Sequence, residues 1–384
     1  MLAVISGLIG LLGISGMTWL CPVLGAGVRR WRYLFGGNRG ESRVNGAEGR
    51  SEGFTLVIAI PAHNEEQVID RTLESIERAK ALLRAVAPHV VSRVVVGDDG
   101  STDKTAEIAE RRGAGILSSA PARGKWRTLL ELVDASRDAD FIVFVDAGIV
   151  WPSDTLVRFF DQVRAPDVFG VAPAYAVRPG GLVERLLWQL ERGLKSLENR
   201  AGGPVSVHGA TVMYRAPELR AALASLAGKD FLNDDVIIPL TLRRLFPAGR
   251  MVYLPSLEVV DRLEAMGSER RRRARLMHGN LEWLVRGMGA DPVVEVLALR
   301  RVVRLFWVYW FAALLVPVAG ILIVTAPPLG IAFVGAMVGA LVWPWKPRAL
   351  DRIVDAAVAS WRAPFELVRL LRGNPQSPGG QVWR

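Results

Sequence analysis

Residues 92–118, SRVVVGDDGSTDKTAEIAERRGAGILS, run from three valines into two adjacent aspartates, then through a helix-forming stretch that stops at Gly113, and into a second apolar run. Valine-rich runs bounded by polar loops read as buried strands. A strand, an acidic loop, a helix and another strand make the repeating unit of a parallel sheet. The pattern continues outward. FTLVIAIP (54–61) is a buried strand, and Asn64 with Gln67 opens an apparent helix whose Val68, Ile69, Leu73 and Ile76 recur at helical spacing. KWRTLLELVDAS (125–136) reads as a helix and DFIVFVD (140–146) as a strand. The fold class is therefore α/β, a Rossmann-like, mostly parallel sheet covered on both faces. Such sheets bind ligands beyond the carboxyl ends of their strands. Those ends here are PAHNEE, DDGS and DAG, polar and mostly acidic.

The rest of the 384-residue chain is different in character. Residues 1–28 and 305–345 carry no charged side chain, whereas a membrane-crossing helix needs about 20 apolar residues. The first run predicts one span and the second a hairpin broken at APPLG (326–330). Arg29, Arg30 and Arg32, then Arg300, Arg301 and Arg304, then Lys346 and Arg348 flank these runs. By the preference of basic loops for the cytoplasm, they place the middle of the chain and its tail in the cytosol of a bacterial inner membrane. The expected order is a transmembrane helix (1–28), a basic Gly-rich linker (29–53), a catalytic domain (54–286), a connector (287–304), a transmembrane hairpin (305–345) and an amphipathic cytosolic tail (346–384). The net charge of +10 suits an anionic leaflet and an anionic substrate, and no nucleic-acid motif accompanies it. The single cysteine, Cys21, excludes an intramolecular disulfide.

An Asp-x-Asp after a buried strand presents two carboxylates to a divalent cation. In DADFIVFVDAGIVWP (138–152) Asp146 is followed two residues later by Gly148, which has no side chain to coordinate. Mg²⁺ is often held by only one or two carboxylates, with substrate phosphates and water completing the octahedron. The alternative is electrostatic replacement of the ion by basic side chains.

IPAHNEE (60–66), VVVGDDGSTDKT (94–105), ARGKWRTLL (122–130), FVDAGIVWPSD (144–154), VHGATVMYR (207–215), FLNDDVIIPLTLRRLFPAGRMVYLP (231–255) and RRRRARLMHGNLEWL (270–284) occur in that order. Together they resemble the membrane-bound family 2 glycosyltransferases of GT-A fold, the group of ceramide glucosyltransferase and the cellulose and hyaluronan synthases. The resemblance implies inverting transfer of a sugar from a nucleoside-diphosphate donor, a UDP-sugar, with Mg²⁺ or Mn²⁺. It implies that Asp99, with Glu65 and the backbone near Pro61 and Ala62, binds base and ribose, and that Asp98 lies beside them. Lys125 would contact the diphosphate. Asp146 would hold the metal, with His278 as a further candidate ligand. Asp235 would take the proton of the acceptor hydroxyl, with Asp234 beside it. Arg272 and Arg275 align with the family's Gln-x-x-Arg-Trp, Leu276 standing at its tryptophan. The side chains around VHGATV would set sugar choice.

For Asp98 and Asp234 the bland reading is a turn or helix cap. GGLVERLLWQLERGLKSLENR (180–200) repeats Leu182, Leu186, Leu190 and Leu194 on one face, which fits an interfacial helix and equally one packed on the catalytic domain. LDRIVDAAVASWRAPFELVRLLRG (350–373) is similar, interrupted by Pro364. Three spans are few for a polysaccharide channel, so a membrane lipid or lipid-linked acceptor is expected. A polysaccharide synthase, a silent nucleotide-binding scaffold and, more remotely, a nucleotidyltransferase are the alternatives.

Overall fold

The computed structural model describes residues 53–178, 206–262 and 306–342, shorter stretches between 189 and 204 and between 357 and 368, and residue 279. The described residues before 263 and those after 305 fall in two separate compact units. The predicted first span, and Arg272, Arg275 and His278, lie outside the described residues.

In the first unit β1 (Phe54–Ala62), β2 (Val90–Asp98), β3 (Gly115–Ser118), β4 (Phe141–Val145), β5 (Val168–Arg178), β6 (Thr211–Arg215) and β7 (Arg250–Arg262) form one sheet in the order β3-β2-β1-β4-β6-β5-β7. Helices α1 (Ile69–Val86), α2 (Thr105–Arg111), α3 (Lys125–Asp134), α4 (Thr155–Val163), α5 (Ala216–Ser225) and α6 (Asp234–Leu245) accompany it. β1 is buried on both faces, which is why its sequence is a continuous apolar run and not an alternation. Leu56, Ile58 and Ile60 join Ile69, Leu73 and Ile76 of α1 and Phe159 and Phe160 of α4 in one core. Across the sheet lie Val57 and Ala59, and α3 buries Trp126, Leu129 and Leu132.

β1 pairs in parallel with both β2 and β4. The strand order therefore reverses at β1, and the crevice between the ends of β1 and β4 is the switch point where such sheets take ligands. The departure from a fully parallel sheet is β6, antiparallel to β4 and to β5. Its reversal brings its first residues, not its last, to the rim where β1, β2 and β4 end. β5 and β7 continue beyond β6 as a two-stranded ribbon, tied back to the rim by the bridge between Val150 and Val260.

Asn64 does not open α1, which begins five residues later at Ile69. It adopts φ 57° and its side-chain oxygen accepts the Thr102 N–H at 2.8 Å, joining the β1 and β2 loops. On its basic side the described part of the 180–200 segment is packed through Arg192 and Lys195. Arg192 pairs with Glu258, and Lys195, only 2% exposed, donates to the Ser206 carbonyl. Asn199 donates to the Tyr253 carbonyl at 3.2 Å and accepts the Tyr253 N–H at 2.9 Å. Burying those side chains against β7 fulfils hydrogen bonds that an interfacial helix would leave to water.

In the second unit α7 (Trp307–Thr325) and α8 (Pro327–Val342) form the expected hairpin, broken at Ala326. Among the described residues no helix is long and apolar enough to cross a membrane, so this hairpin does not support the expected spans. Val316, Ile321, Val324, Leu329 and Ile331 are nonetheless exposed. Within this unit Tyr309 stacks on Trp361 at 5.6 Å and donates to its carbonyl.

Candidate functional site

The β1 and β2 loops are zipped together by short-range polar contacts. The Asp99 N–H donates to the Ala62 carbonyl, the Glu65 N–H to Thr105 Oγ1 at 2.7 Å, and the Glu66 N–H to Asp103. His63 Nδ1 lies 2.8 Å from the Asp99 carbonyl. Pro61 and Ala62 sit in the sheet opposite Gly97 and Asp98. Asp98 Oδ1 accepts the Ser101 N–H at 3.2 Å, the turn role that residue type favours.

Asp99 is fully buried. Its Oδ1 accepts the Arg123 N–H at 2.6 Å and the Ser119 hydroxyl at 3.2 Å, and its Oδ2 accepts the Gly124 N–H at 2.7 Å. This carboxylate therefore organises the 119–124 loop. Its effect is on the next residue: α3 begins at Lys125, so Asp99 fixes the backbone from which the lysine side chain leaves.

Asp146 follows β4, and its N–H donates to the Ala210 carbonyl at the head of β6. The turn after it explains the missing carboxylate. Gly148 has φ 94°, the Ile149 N–H returns to the Asp146 carbonyl, and the Gly148 N–H donates to Thr72 Oγ1 at 2.9 Å. A turn with positive φ at its third residue selects glycine, so position 148 is a backbone requirement. Ser75 of α1 accepts the Trp151 N–H, and Trp151 Nε1 donates to Thr211. Thr72 and Ser75, polar residues on the buried face of α1, thus hold the turn that presents Asp146.

Asp234 and Asp235 open α6. The expected bland role of Asp234 as a helix cap does not describe it. Asn233 occupies the capping position, and Asp234 Oδ1 lies 3.4 Å from Lys125 Nζ, whose other carboxylate partner is Asp146 Oδ1 at 2.7 Å. One ammonium therefore joins two carboxylates that lie far apart in the sequence. Burial raises the Asp234 carboxyl above its usual value, Lys125 opposes the shift and Asp146 adds to it. The same surroundings push the buried Tyr214 hydroxyl well up, first through burial and then through Asp234 and Asp235. The Asp235 carbonyl accepts the Val207 N–H at 3.0 Å. A Cβ on Gly209 would lie 3.4 Å from Asp235 Cβ, 3.8 Å from Lys125 Nζ and 3.9 Å from Asp234 Oδ2. The bare backbone of Gly209 leaves space at the centre of this group.

The structure brings Lys125, Asp146, Asp234 and Asp235 to one rim, with Glu65, Asp98 and Asp99 in the adjoining loops. It adds residues that the sequence reading did not single out. His208 stacks on Tyr175 at 5.1 Å, and the Tyr175 hydroxyl donates to Asp261 at 2.7 Å on the β5–β7 ribbon. The signal available for them was only that VHGA precedes a strand.

Among the described residues no three His, Cys, Asp or Glu side chains cluster as a complete metal site. Two carboxylates sharing one cationic partner nevertheless fit a divalent ion whose remaining ligands are substrate phosphates and water. Asp146 is the residue that would hold it.

Residues 57–216 match the family profile described as Glycosyl transferase family 2. The matched stretch lies within the first unit and spans about two fifths of the chain. Two curated relatives are glucosyl-3-phosphoglycerate synthases. That of Mycolicibacterium smegmatis is 31% identical over 139 residues, 33% of this chain and 42% of the relative. That of Mycolicibacterium paratuberculosis is 31% identical over 149 residues, 37% of this chain and 39% of the relative. The matches span about two fifths of those proteins. They redirect the expected kinship from the ceramide glucosyltransferase and cellulose synthase group. Among solved structures, the mannosyltransferase PcManGT from Pyrobaculum calidifontis, in complex with GDP-Man and Mn²⁺, superposes with a TM-score of 0.63. That similarity covers 94% of this chain and 98% of the other at 18% identity, a likeness of fold.

Proposed function

We propose that this chain transfers a sugar, with inversion, from a nucleoside-diphosphate donor to a hydroxyl acceptor. The observation that carries the reading is Lys125 joining Asp146 and Asp234 beside Gly209, at the switch point of a family 2 domain. Asp235 takes the proton of the acceptor hydroxyl as its oxygen attacks the anomeric carbon and the diphosphate departs on the opposite face. Lys125, at a helix N-terminus that already favours anions, receives the leaving diphosphate. Mg²⁺ or Mn²⁺ at Asp146 supplies electrophilic stabilisation of the same leaving charge when bound. A UDP-sugar is the preferred donor reading, and GDP-Man in the complex of the structural neighbour makes a guanine donor the second.

The acceptor reading divides in two. The exposed apolar surface of α7 and α8, flanked in sequence by Arg300, Arg301, Arg304, Lys346 and Arg348, favours attachment to an anionic bilayer and a membrane lipid or lipid-linked acceptor. We read the first unit as cytosolic, on the preference of these basic flanks for the cytoplasm. The names of the curated relatives favour a small phosphorylated acceptor. The test is release of nucleoside diphosphate by the full chain in nanodiscs from UDP- and GDP-sugars, with lipid extract in one arm and 3-phosphoglycerate in another. Lipid-dependent release supports the first acceptor and phosphoglycerate-dependent release the second. Binding of nucleotide with no turnover in any arm rejects the transferase reading in favour of a silent scaffold, and repeated addition to one acceptor identifies a chain-extending synthase.

A further inference from the structure

Resting on the reading of Asp146 as the metal carboxylate, we propose that the Lys125 ammonium is the site's own cation, which donor and divalent ion enter by exchanging. The ion takes over Asp146, and the ammonium turns from the carboxylates to the incoming diphosphate.

Three observations on this chain support the exchange. Lys125 Nζ is bound to Asp146 Oδ1 at 2.7 Å, so an ion arriving alone at that oxygen must displace a charge already there. Gly148 has no side-chain oxygen to offer the ion, and its turn, held by Thr72, keeps glycine at that position. The lysine's backbone is held more firmly than its side chain. Asp99 pins the Arg123 and Gly124 N–H groups, whereas the lysine side chain is 21% exposed and its Nζ faces the bare backbone of Gly209, 3.8 Å from where a Cβ would stand. A lysine stem is flexible enough to re-aim a compact charge without moving the helix.

The charge balance sets the order of events. Two carboxylates and one ammonium leave the resting group one net negative charge. A divalent ion alone would reverse that sign beside an ammonium deprived of its partner. An ion arriving with a diphosphate adds charges of both signs, and Lys125 then has a new anion to meet. Ion and nucleotide should consequently strengthen each other's binding by the same factor.

The experiment is a Mn²⁺ titration of the full chain followed by electron paramagnetic resonance, with no sugar and no acceptor, in the absence and presence of UDP or GDP. Wild type, Lys125→Met, Lys125→Arg and Asp146→Asn are compared, each checked by circular dichroism for an intact fold. Lys125→Met is expected to bind Mn²⁺ about five- to tenfold more tightly than wild type without nucleotide, the scale of losing one partly exposed ionic competitor. Its gain on adding nucleotide should shrink. Lys125→Arg, which keeps a cation, should bind as weakly as wild type. Unchanged or weaker Mn²⁺ binding by Lys125→Met, or equal tightening by Lys125→Arg, overturns the exchange while Asp146-dependent binding leaves the metal reading standing. Mn²⁺ binding that survives Asp146→Asn, or no binding by wild type even with nucleotide, overturns both.

Discussion

Two pairs of adjacent aspartates, Asp98–Asp99 and Asp234–Asp235, lie in the same folded unit and serve different ends. The first pair spends its described oxygen contacts on neutral donors: Ser101, Ser119, Arg123 and Gly124 supply one hydroxyl and three backbone N–H groups. In the second pair, Asp234 meets the Lys125 ammonium that also holds Asp146. A carboxylate satisfied by backbone amides builds a loop, because those donors cannot leave. A carboxylate satisfied by a side-chain cation takes part in chemistry, because its partner can turn elsewhere. Asp99 and Asp234 are linked through one lysine, the first fixing its backbone and the second receiving its charge.

The comparison breaks most visibly at Asp235. Asp235→Asn should lower sugar transfer by about 10³-fold, the scale of losing a positioned base, with an unchanged melting temperature. An asparagine variant retaining a tenth of the activity would remove Asp235 from the chemistry. At Asp99 the expected loss is structural. Asp99→Asn replaces one acceptor oxygen with an N–H₂ facing backbone donors, and should cost about 2 kcal/mol in urea denaturation. Stability unchanged within error would mean that the 119–124 loop holds itself, and the distinction between the pairs would fail.

Gly148→Asp restores the missing carboxylate in a conformation that disfavours it. A destabilisation of about 1–2 kcal/mol is expected from the positive φ, together with no tightening of Mn²⁺ binding. Tighter binding in a calorimetric titration would show that the turn can open toward the ion. The smallest effect is a pH trend at Asp234. Its folded-state carboxyl is raised mainly by burial, so the native state holds this proton more strongly than the unfolded chain does. Stability from this group is full below the ordinary carboxylate range, near pH 4, and is lost as pH rises through the raised value. Asp234→Asn should therefore gain on wild type as pH climbs through that window and melt at least as high at neutral pH. The opposite trend in thermal melts would place Asp234 among the stabilising carboxylates with Asp99.

The first half of the fold was legible because β1 and β4, and β2 toward its end, are buried and read as apolar runs ending in acid. The approximate position of the site followed from those ends. What escaped were relations across long stretches of chain. No periodicity predicts that Asp99 will accept the N–H groups of residues 123 and 124, or that Asn64 will reach Thr102 instead of starting a helix. Position 148 was conspicuous as a missing ligand, yet its reason lay in backbone geometry and in a threonine 76 residues away. The reversed direction of β6 was equally hidden. A five-residue apolar strand reads the same whichever way it runs, and only its neighbours determine which of its ends reaches the rim.

Asn199 has a consequence for how these molecules behave in a crowd. β7 borders the sheet, and a border strand offers unpaired N–H and C=O groups as a template on which another chain can polymerise. At Tyr253 the Asn199 amide takes both groups at once, imitating the rung that a neighbouring strand would add. A single side chain, steadied by the Arg192–Glu258 pair on the same helical segment, makes that stretch of the border a poor seed for aggregation.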